Sequence, residues 1–282
     1  MNPYWAGGVS NQQIGEELKV DHTDQVAPEG EHKIGTRAWT DDGRVFYYAS
    51  NGTGALTHGL VCLSAALLTG HDLIVATATG IISAGTRLIK LDETDVESSD
   101  AIAGYYNGGY LHASASTGLG QYRRVKRQQA LDNTATATKD IELWDAIETA
   151  SAATTNWVLT PNPYQRAIAS TTATVEAQIG VAPTNVTASG AVPTDVTATA
   201  NDISTYFFWM QTYGPCAVLY STDSATPGDP VRGGSDVGSL EEWTNTGGTG
   251  IEVQAMPLGR TLSGAAGAGD GEYLLIDLRI RS

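Results

Sequence analysis

The sequence predicts an all-β protein of short antiparallel strands, forming two small barrel- or sandwich-like domains behind an extended N-terminal arm. Glycine supplies 32 of the 282 residues, whereas about 7% is usual in proteins. Charged residues make up 17% of the chain, below the roughly 25% of an average globular domain. No segment sustains an apolar period of 3.6 residues, and runs of β-branched and aromatic residues alternate with turn residues. This composition is typical of many strands and many turns.

The first half of the chain alternates between strand and turn signals. The tripeptide 41–43, Asp-Asp-Gly, predicts a tight hairpin turn, and the β-branched and aromatic segment 44–49 predicts the strand after it. Apolar residues in the segment 140–147 fit either a helical turn or a strand, and the β pattern around them favours the strand. Other strands in this half are predicted at 34–40, 72–77, 86–91, 121–127, and from residue 110 onward.

The second half contains the most aromatic part of the chain. Residues 204–213 predict a strand that ends at Gly214-Pro215, and residues 216–220 continue as a second strand. Residues 167–200 are nearly all Ala, Thr, Val and Ser, and a short repeat within them predicts a pair of edge strands. The last strands are predicted at 231–235, 240–243 and 272–280.

Differences in amino-acid composition divide the chain into three parts. We expect an N-terminal arm at 1–31, a first β-rich domain at 32–165 and a second at 166–282. The arm is polar and carries Tyr4 and Trp5 near its tip. One interpretation is a frayed terminus. The other is an arm that lies on a neighbouring subunit, because exposed aromatic residues gain most from burial at an interface.

Several classes of protein are excluded by length, charge and cysteine content. No run of about 18 apolar residues predicts a membrane span, and the first residues lack the basic and apolar regions of a secretory signal. Cys62 and Cys216 allow at most one disulfide, as expected for a reducing cytosol. The net charge of −15 predicts repulsion of nucleic acids and of anionic membranes.

No catalytic, phosphate-binding or metal-binding motif is present. The nucleophile elbow, the P-loop and the dinucleotide-binding loop are all missing, and the five histidines are isolated from one another. The acidic segment with Asp92, Glu93 and Asp95 could bind Ca²⁺, but it lacks the EF-hand spacing, and a solvated loop is the favoured interpretation. The sequence therefore predicts no catalytic residues, no bound cofactor and no metal.

One basic cluster departs from the acidic background. It contains Arg123, Arg124, Lys126 and Arg127. On a strand, side chains alternate between two faces, so Arg123, Val125 and Arg127 would share one face. The acidic chain argues against nucleic acid as the partner. We expect these cations to pair with carboxylates, either of the same chain or of a neighbouring subunit.

Several segments resemble auxiliary structural proteins of tailed-phage heads. The resemblance covers about residues 34–280 and is most specific at residues 206–219, which read Tyr-Phe-Phe-Trp-Met-Gln-Thr-Tyr-Gly-Pro-Cys-Ala-Val-Leu. The other similar segments are 34–49, 118–126, 157–164, 258–260 and 271–278. The family carries no catalytic residues that transfer. The resemblance implies a virion protein on the capsid surface, assembled in the host cytoplasm.

The expected function is therefore a non-enzymatic cement or decoration protein that binds the outside of the head shell and stabilises it. Its expected partners are the major capsid protein and other copies of itself, without direct contact to nucleic acid or membrane. The expected interface residues are Tyr4, Trp5, Arg123, Arg124, Lys126 and Arg127.

Three alternatives remain open at this stage. The first is a tail- or spike-associated protein that binds a host receptor or glycan on its aromatic residues. The second is a polysaccharide-cleaving enzyme. The third, the shell protein itself, is disfavoured because shell proteins of tailed phages need a long spine helix, and no such helical period is present.

Overall fold

A computed structural model describes residues 21–22, 32–64, 68, 70–71, 74–75, 82–92, 100–132, 138–171, 178–190, 205–221, 224–243, 257–263, 265–266 and 271–280. Within these ranges the chain forms nineteen strands and no helix. The prediction of an all-β protein is thereby confirmed. The prediction for the arm at 1–31 lies outside the described residues, except for Asp21–His22.

The strands are as follows. The first ten are β1 Asp21–His22, β2 Arg37–Trp39, β3 Val45–Ser50, β4 Leu60–Leu63, β5 Ile74–Val75, β6 Leu88–Asp92, β7 Tyr110–Ala113, β8 Tyr122–Gln128, β9 Thr138–Leu143 and β10 Asn156–Thr160. The remaining nine are β11 Ile168–Ala169, β12 Gln178–Ala182, β13 Tyr206–Tyr220, β14 Ser224–Ala225, β15 Pro230–Gly233, β16 Leu240–Glu242, β17 Gly259–Thr261, β18 Ala265–Ala266 and β19 Glu272–Arg279.

Eleven strands form one large sheet, and part of this sheet closes on itself. Its main path runs β11-β4-β12-β13-β16-β15-β17-β19, and β19 also pairs with β13. The five strands β13, β16, β15, β17 and β19 therefore make a closed barrel. Closure removes free sheet edges, because each strand of the barrel has a partner on both sides. The strands β1 and β3 extend the sheet from β13, and β2 pairs with β3.

The strand β13 is shared between the open part of the sheet and the barrel. Its first half pairs with β3 from Phe207 to Tyr213, and its second half pairs with β19 from Tyr213 to Tyr220. The sequence predicts a break at Gly214-Pro215, whereas the structure has one continuous strand there. Gly214 has a φ of 83°, a left-handed conformation that glycine adopts without steric cost. This glycine lies next to the point where the pairing of β13 changes from β3 to β19, and the strand continues through it.

The second sheet has six strands in the order β5-β10-β7-β8-β9-β6. Every hydrogen-bonded pair in it is antiparallel. The ambiguous segment 140–147 contributes the end of β9, so the strand interpretation is confirmed there. This sheet has its own hydrophobic core, whose largest members include Tyr106, Trp157, Leu111, Ile141 and Leu159.

The three other core clusters all belong to the large sheet. They centre on the barrel interior, on Phe208 and Met210, and on Tyr48 with Trp209.

Strand pairing also crosses the boundary between 32–165 and 166–282, because β3 pairs with β13 and β4 pairs with β12. The division at that boundary stays a prediction. A third, two-stranded sheet consists of β14 and β18.

The chain leaves the large sheet after β4, forms the six-stranded sheet, and rejoins the large sheet at β11. Leu63 pairs with Ile168, and Cys62 pairs with Ala169. Near the return point, the Nδ2 of Asn162 donates to the carbonyl of Ile34 at 3.1 Å and to that of Gly108 at 3.4 Å. One side chain thus joins backbone that precedes β2 to backbone that precedes β7.

Candidate binding surfaces

The basic cluster of the sequence lies on β8, in the middle of the six-stranded sheet. Val125 is fully buried and Arg123 points to the same side, while Tyr122 and Arg124 are exposed. The expected alternation of faces is therefore correct up to Val125. It is wrong for Arg127, which is exposed because a bulge between Val125 and Arg127 shifts the register against β9.

Arg123 is held by its own chain. Its Nε donates to the carbonyl of Ala146 at 2.6 Å, and its Nη1 donates to the carbonyl of Tyr122 at 2.6 Å. Its Nη2 lies 2.7 Å from a carboxylate oxygen of Glu148. The side chain of Arg123 is only 13% exposed. Three contacts fix the guanidinium of Arg123, so this side chain has a structural role in the surface around it.

Lys126 and Arg127 share one carboxylate of their own chain. The Nζ of Lys126 lies 2.6 Å from Glu142, and the Nε of Arg127 lies 3.6 Å from the same group. The hydrogen bond from Lys126 lowers the pKa of Glu142, and the positive charges of Lys126 and Arg127 lower it further. Lys126 also lies 5.6 Å from the ring centre of Trp144. Pairing within the chain thus accounts for both cations.

Arg124 is the exposed member of the cluster that makes no ion pair within the described residues. Its Nε reaches the carbonyl of Gly108 only at 3.4 Å. Tyr110 and Tyr122 flank it, with ring centres 6.4 Å apart and planes at 62°. The three residues line a cleft of about 610 Å³ whose other lining residues are Gly120, Gln121, Arg123, Asp145, Ala146 and Glu148.

A smaller hollow adjoins this cleft. It measures about 220 Å³ and shares Tyr110 and Arg124 with the cleft. Its other walls include Asn162 and the stacked rings of Tyr47 and Tyr164, whose centres lie 4.6 Å apart. Arg124 therefore lines two neighbouring concavities.

A second exposed surface lies on the outside of the barrel. Alternate residues of β13 and β19 face outward there, and they are directly opposite one another: Ala217 with Leu275, and Leu219 with Tyr273. Tyr273 is 41% exposed and Leu275 is 44% exposed. We define the apolar strip as Pro215, Ala217, Leu219, Leu262, Tyr273 and Leu275.

Several residues extend or border the apolar strip. Leu262 extends it, because its N–H donates to the carbonyl of Leu275 and its side chain is 47% exposed. The ring of His58 stacks on Tyr273 with the centres 4.6 Å apart. Asp277 and Arg279 follow on the same face of β19, and their side chains pair at 3.0 Å. The strip is thus an apolar surface with a charged end.

The strip was not among the residues expected from the sequence. The signal was nevertheless present, because Tyr273 and Leu275 occupy the same face of a period-2 strand as Asp277 and Arg279. When apolar residues at alternate positions are followed on the same face by charged residues, the pattern indicates that this face is exposed to water. The sequence alone does not show that β13 lies beside this strand.

Burial keeps three titratable side chains in their neutral forms. Burial raises the pKa of both Cys62 and Cys216 to about 12, so both thiols are protonated at neutral pH and are poor nucleophiles. Both cysteines are free thiols. His71 and Tyr106 form a buried hydrogen bond of 2.8 Å between Nδ1 and the hydroxyl. Burial also raises the pKa of Tyr106, which keeps its hydroxyl protonated.

Two features are absent from the described part of the chain. No group of three or more His, Cys, Asp or Glu side chains there is arranged to hold a metal ion. No helix there has the length and hydropathy needed to span a membrane. The expected interface residues Tyr4 and Trp5 lie outside the described residues, as do Glu93 and Asp95 of the acidic segment.

Comparisons with family models, with curated proteins and with solved structures find no match to this chain.

Proposed function

We propose that this protein is a non-enzymatic structural protein of a phage virion, which binds the outside of the head shell and stabilises it. The resemblance of residues 34–280 to head auxiliary proteins supports this proposal. The structural observation that carries it is the apolar strip, because a contiguous exposed apolar surface is typical of a protein–protein contact. On this proposal the occupant of the strip is the major capsid protein.

The strip suits a permanent contact for a physical reason. Its central residues Leu219, Tyr273 and Leu275 stand on two strands that pair over eight successive positions. A closed barrel fixes the backbone beneath these side chains, so little backbone entropy is lost when a partner covers them. Apolar burial contributes about 25 cal/mol per Å². A modest area per copy becomes effective when symmetry repeats it over a shell.

The charge of the molecule is compatible with the same role. With a net charge of −15, the protein should not adhere to viral or host DNA during assembly. The proposal does not depend on intersubunit ion pairs of the basic cluster, since Arg123, Lys126 and Arg127 have carboxylate partners in their own chain.

The test compares heads assembled with different forms of this protein. The double variant Tyr273→Gln with Leu275→Gln removes apolar character from the strip. The matched control is Leu88→Gln, because Leu88 is 47% exposed and lies in the other sheet. We expect the double variant to bind heads in at least tenfold fewer copies at equal concentration, and those heads to release DNA at lower temperature. Leu88→Gln should behave as the original protein does.

Two results would contradict the proposal. One is equal resistance to heat in heads that carry the protein and heads that lack it. The other is a location at the tail with only a few copies per particle, which would favour the receptor-binding alternative. Mass spectrometry of purified particles gives the copy number, and electron microscopy of labelled particles gives the location.

A further inference from the structure

The cleft around Arg124 has the features of a small-ligand site. Its volume of about 610 Å³ lies within the range of about 300–1,000 Å³ that is common for ligand pockets. Tyr110 is 38% exposed and Tyr122 is 63% exposed. Their rings meet edge to face and leave apolar surface available to a ligand.

The polar groups of the cleft are fixed before any ligand arrives. Arg123 is held by the contacts to Ala146, Tyr122 and Glu148. The side-chain amide of Gln121 donates to the carbonyl of Thr149 at 2.9 Å and accepts from the N–H of Thr149 at 3.3 Å. Fixed groups reduce the entropic cost of binding. Arg124, by contrast, keeps most of its five donors available to a ligand.

The formal charges of the cleft cancel. Two cations, Arg123 and Arg124, are matched by two carboxylates, Asp145 and Glu148. In a chain with a net charge of −15, this is a locally neutral site. It offers hydrogen-bond donors and acceptors together, which fits a ligand whose groups both donate and accept. Hydroxyl groups do both.

Extended peptides fit this site less well. Peptides that add to a sheet need a free strand edge, and the strands under the cleft have none. The strand β7 lies between β10 and β8, and β8 lies between β7 and β9. A polyanion such as nucleic acid would meet both Asp145 and Glu148. A neutral ring with several hydroxyl groups satisfies the aromatic surface and the mixed polar wall.

We infer that this cleft binds a neutral saccharide, with a sugar ring against Tyr110 and Tyr122 and its hydroxyl groups on Arg124 and Asp145. The inference goes beyond attachment to the head shell, because the cleft and the apolar strip share no residue. A particle could thus carry both surfaces, one covered by the shell and the other exposed to a cell envelope.

The test uses the purified full chain on an array of neutral and acidic glycans, followed by calorimetry with the neutral glycan that binds most strongly. We expect binding to a neutral glycan, weakened roughly tenfold or more by Tyr122→Ala and by Arg124→Gln, since a hydrogen bond to a charged group contributes about 1.5–3 kcal/mol. The matched controls are Leu88→Ala and Arg127→Gln, which change exposed residues outside the cleft lining. Both controls should keep the affinity of the original chain.

Three outcomes would overturn the inference. They are no binding to any neutral glycan, binding only to acidic glycans, and binding that both cleft variants leave unchanged. Thermal denaturation of each variant checks that the fold is retained, and Tyr122→Phe adds a variant that keeps the ring. The copy number on heads is an independent measurement. Cleft variants should still decorate heads, so failure of the saccharide site and failure of the proposed function are distinguishable.

Discussion

Gly259 in β17 lies so close to β19 that it leaves no room for a side chain. A Cβ built at this position would lie 2.3 Å from the carbonyl oxygen of Asp277 and 3.1 Å from the Cα of Leu278. Both neighbours are backbone atoms of a paired strand, so they cannot move without distorting the barrel. We expect Gly259→Ala to lower the free energy of unfolding by about 1–3 kcal/mol, as measured by urea denaturation.

The control for this prediction is Gly54→Ala. A Cβ at Gly54 meets nothing within 4 Å, so the change should stay within about 0.5 kcal/mol. Equal stability of the two alanine variants would show that β17 and β19 can separate at no cost. It would then count against the barrel closure described above.

Glu142 provides a test of the basic cluster by titration. The hydrogen bond from Lys126 lowers the pKa of Glu142, so Lys126→Met should raise this pKa toward the ordinary glutamate range. Arg127→Met should raise it less, because Arg127 lies 3.6 Å away and Lys126 lies 2.6 Å away. NMR titration of the Glu142 carboxyl carbon measures each value. An unchanged pKa in Lys126→Met would contradict the pairing.

The sign of the pH dependence follows from the same shift. Because the pKa of Glu142 is lower in the folded chain than in the unfolded chain, its carboxylate contributes stability above the unfolded pKa. That contribution is lost as the pH falls through the folded pKa. Acid should therefore weaken the original chain more than Lys126→Met, in which this contribution is absent.

Among the strands, β13 has one buried amide that binds its own backbone around Gly214. Gln211 is 2% exposed, and its Nε2 donates to the carbonyls of Tyr213, Gly214 and Pro215 at 3.1, 3.3 and 2.8 Å. Gln211→Met keeps the length of the side chain and removes the donor. We expect a loss of about 1–3 kcal/mol in the free energy of unfolding, measured by denaturant titration.

Gln165→Met is the matched control for that change. The Nε2 of Gln165 donates to the carbonyl of Tyr105 at 2.7 Å, but Gln165 is only half-buried, so water can replace the lost donor. Its loss should be less than about 1 kcal/mol. If both variants lost the same amount of stability, the three carbonyls around Gly214 would not depend on Gln211.

The turn at 41–43 and the strand β13 show how much of the fold can be predicted from local sequence patterns. The turn at 41–43 and the strand after it were predictable, because Asp-Asp-Gly indicates the turn and the β-branched and aromatic residues that follow it indicate the strand. The continuity of β13 was not, since Gly214 and Pro215 normally end a strand. What keeps the strand continuous is Gln211 inside it and a new partner, β19, more than fifty residues further along the chain.

The candidate sites were predictable to a smaller extent. The basic residues identified on β8 include Arg124, which lines the cleft, because an unusual charge cluster is visible in the sequence. The Asp145 and Glu148 side of the cleft was not predictable, since the loop after β9 reaches it only in the folded sheet. The bulge that exposes Arg127 depends on pairing with β9, which local patterns do not encode.

At the scale of the whole molecule, the two sheets differ in the sequence distance between paired strands. In the six-stranded sheet, Leu111 of β7 pairs with Arg123 of β8. In the large sheet, Ala49 of β3 pairs with Phe208 of β13, about 160 residues away. Closing a longer loop costs more entropy, and distant pairing slows folding. The six-stranded sheet should therefore form first.

Pulsed hydrogen exchange during refolding, read by mass spectrometry, measures this order. Amides of β7, β8 and β9 should become protected before those of β3 and the first half of β13. Simultaneous protection of the two groups, or earlier protection of β13, would contradict the prediction. The separate hydrophobic core of the six-stranded sheet is the physical basis for a distinct early step.

The pairing of β4 with β11 has a consequence for how this chain could change over evolution. Because Leu63 and Ile168 are paired neighbours, the chain between them leaves the large sheet and returns to it at the same place. A short turn could join the two positions, and the barrel would keep its strands. The intervening hundred or so residues would therefore be replaceable as one unit. On the two proposals made above, such a replacement would change the saccharide that is bound and keep the surface that binds the shell.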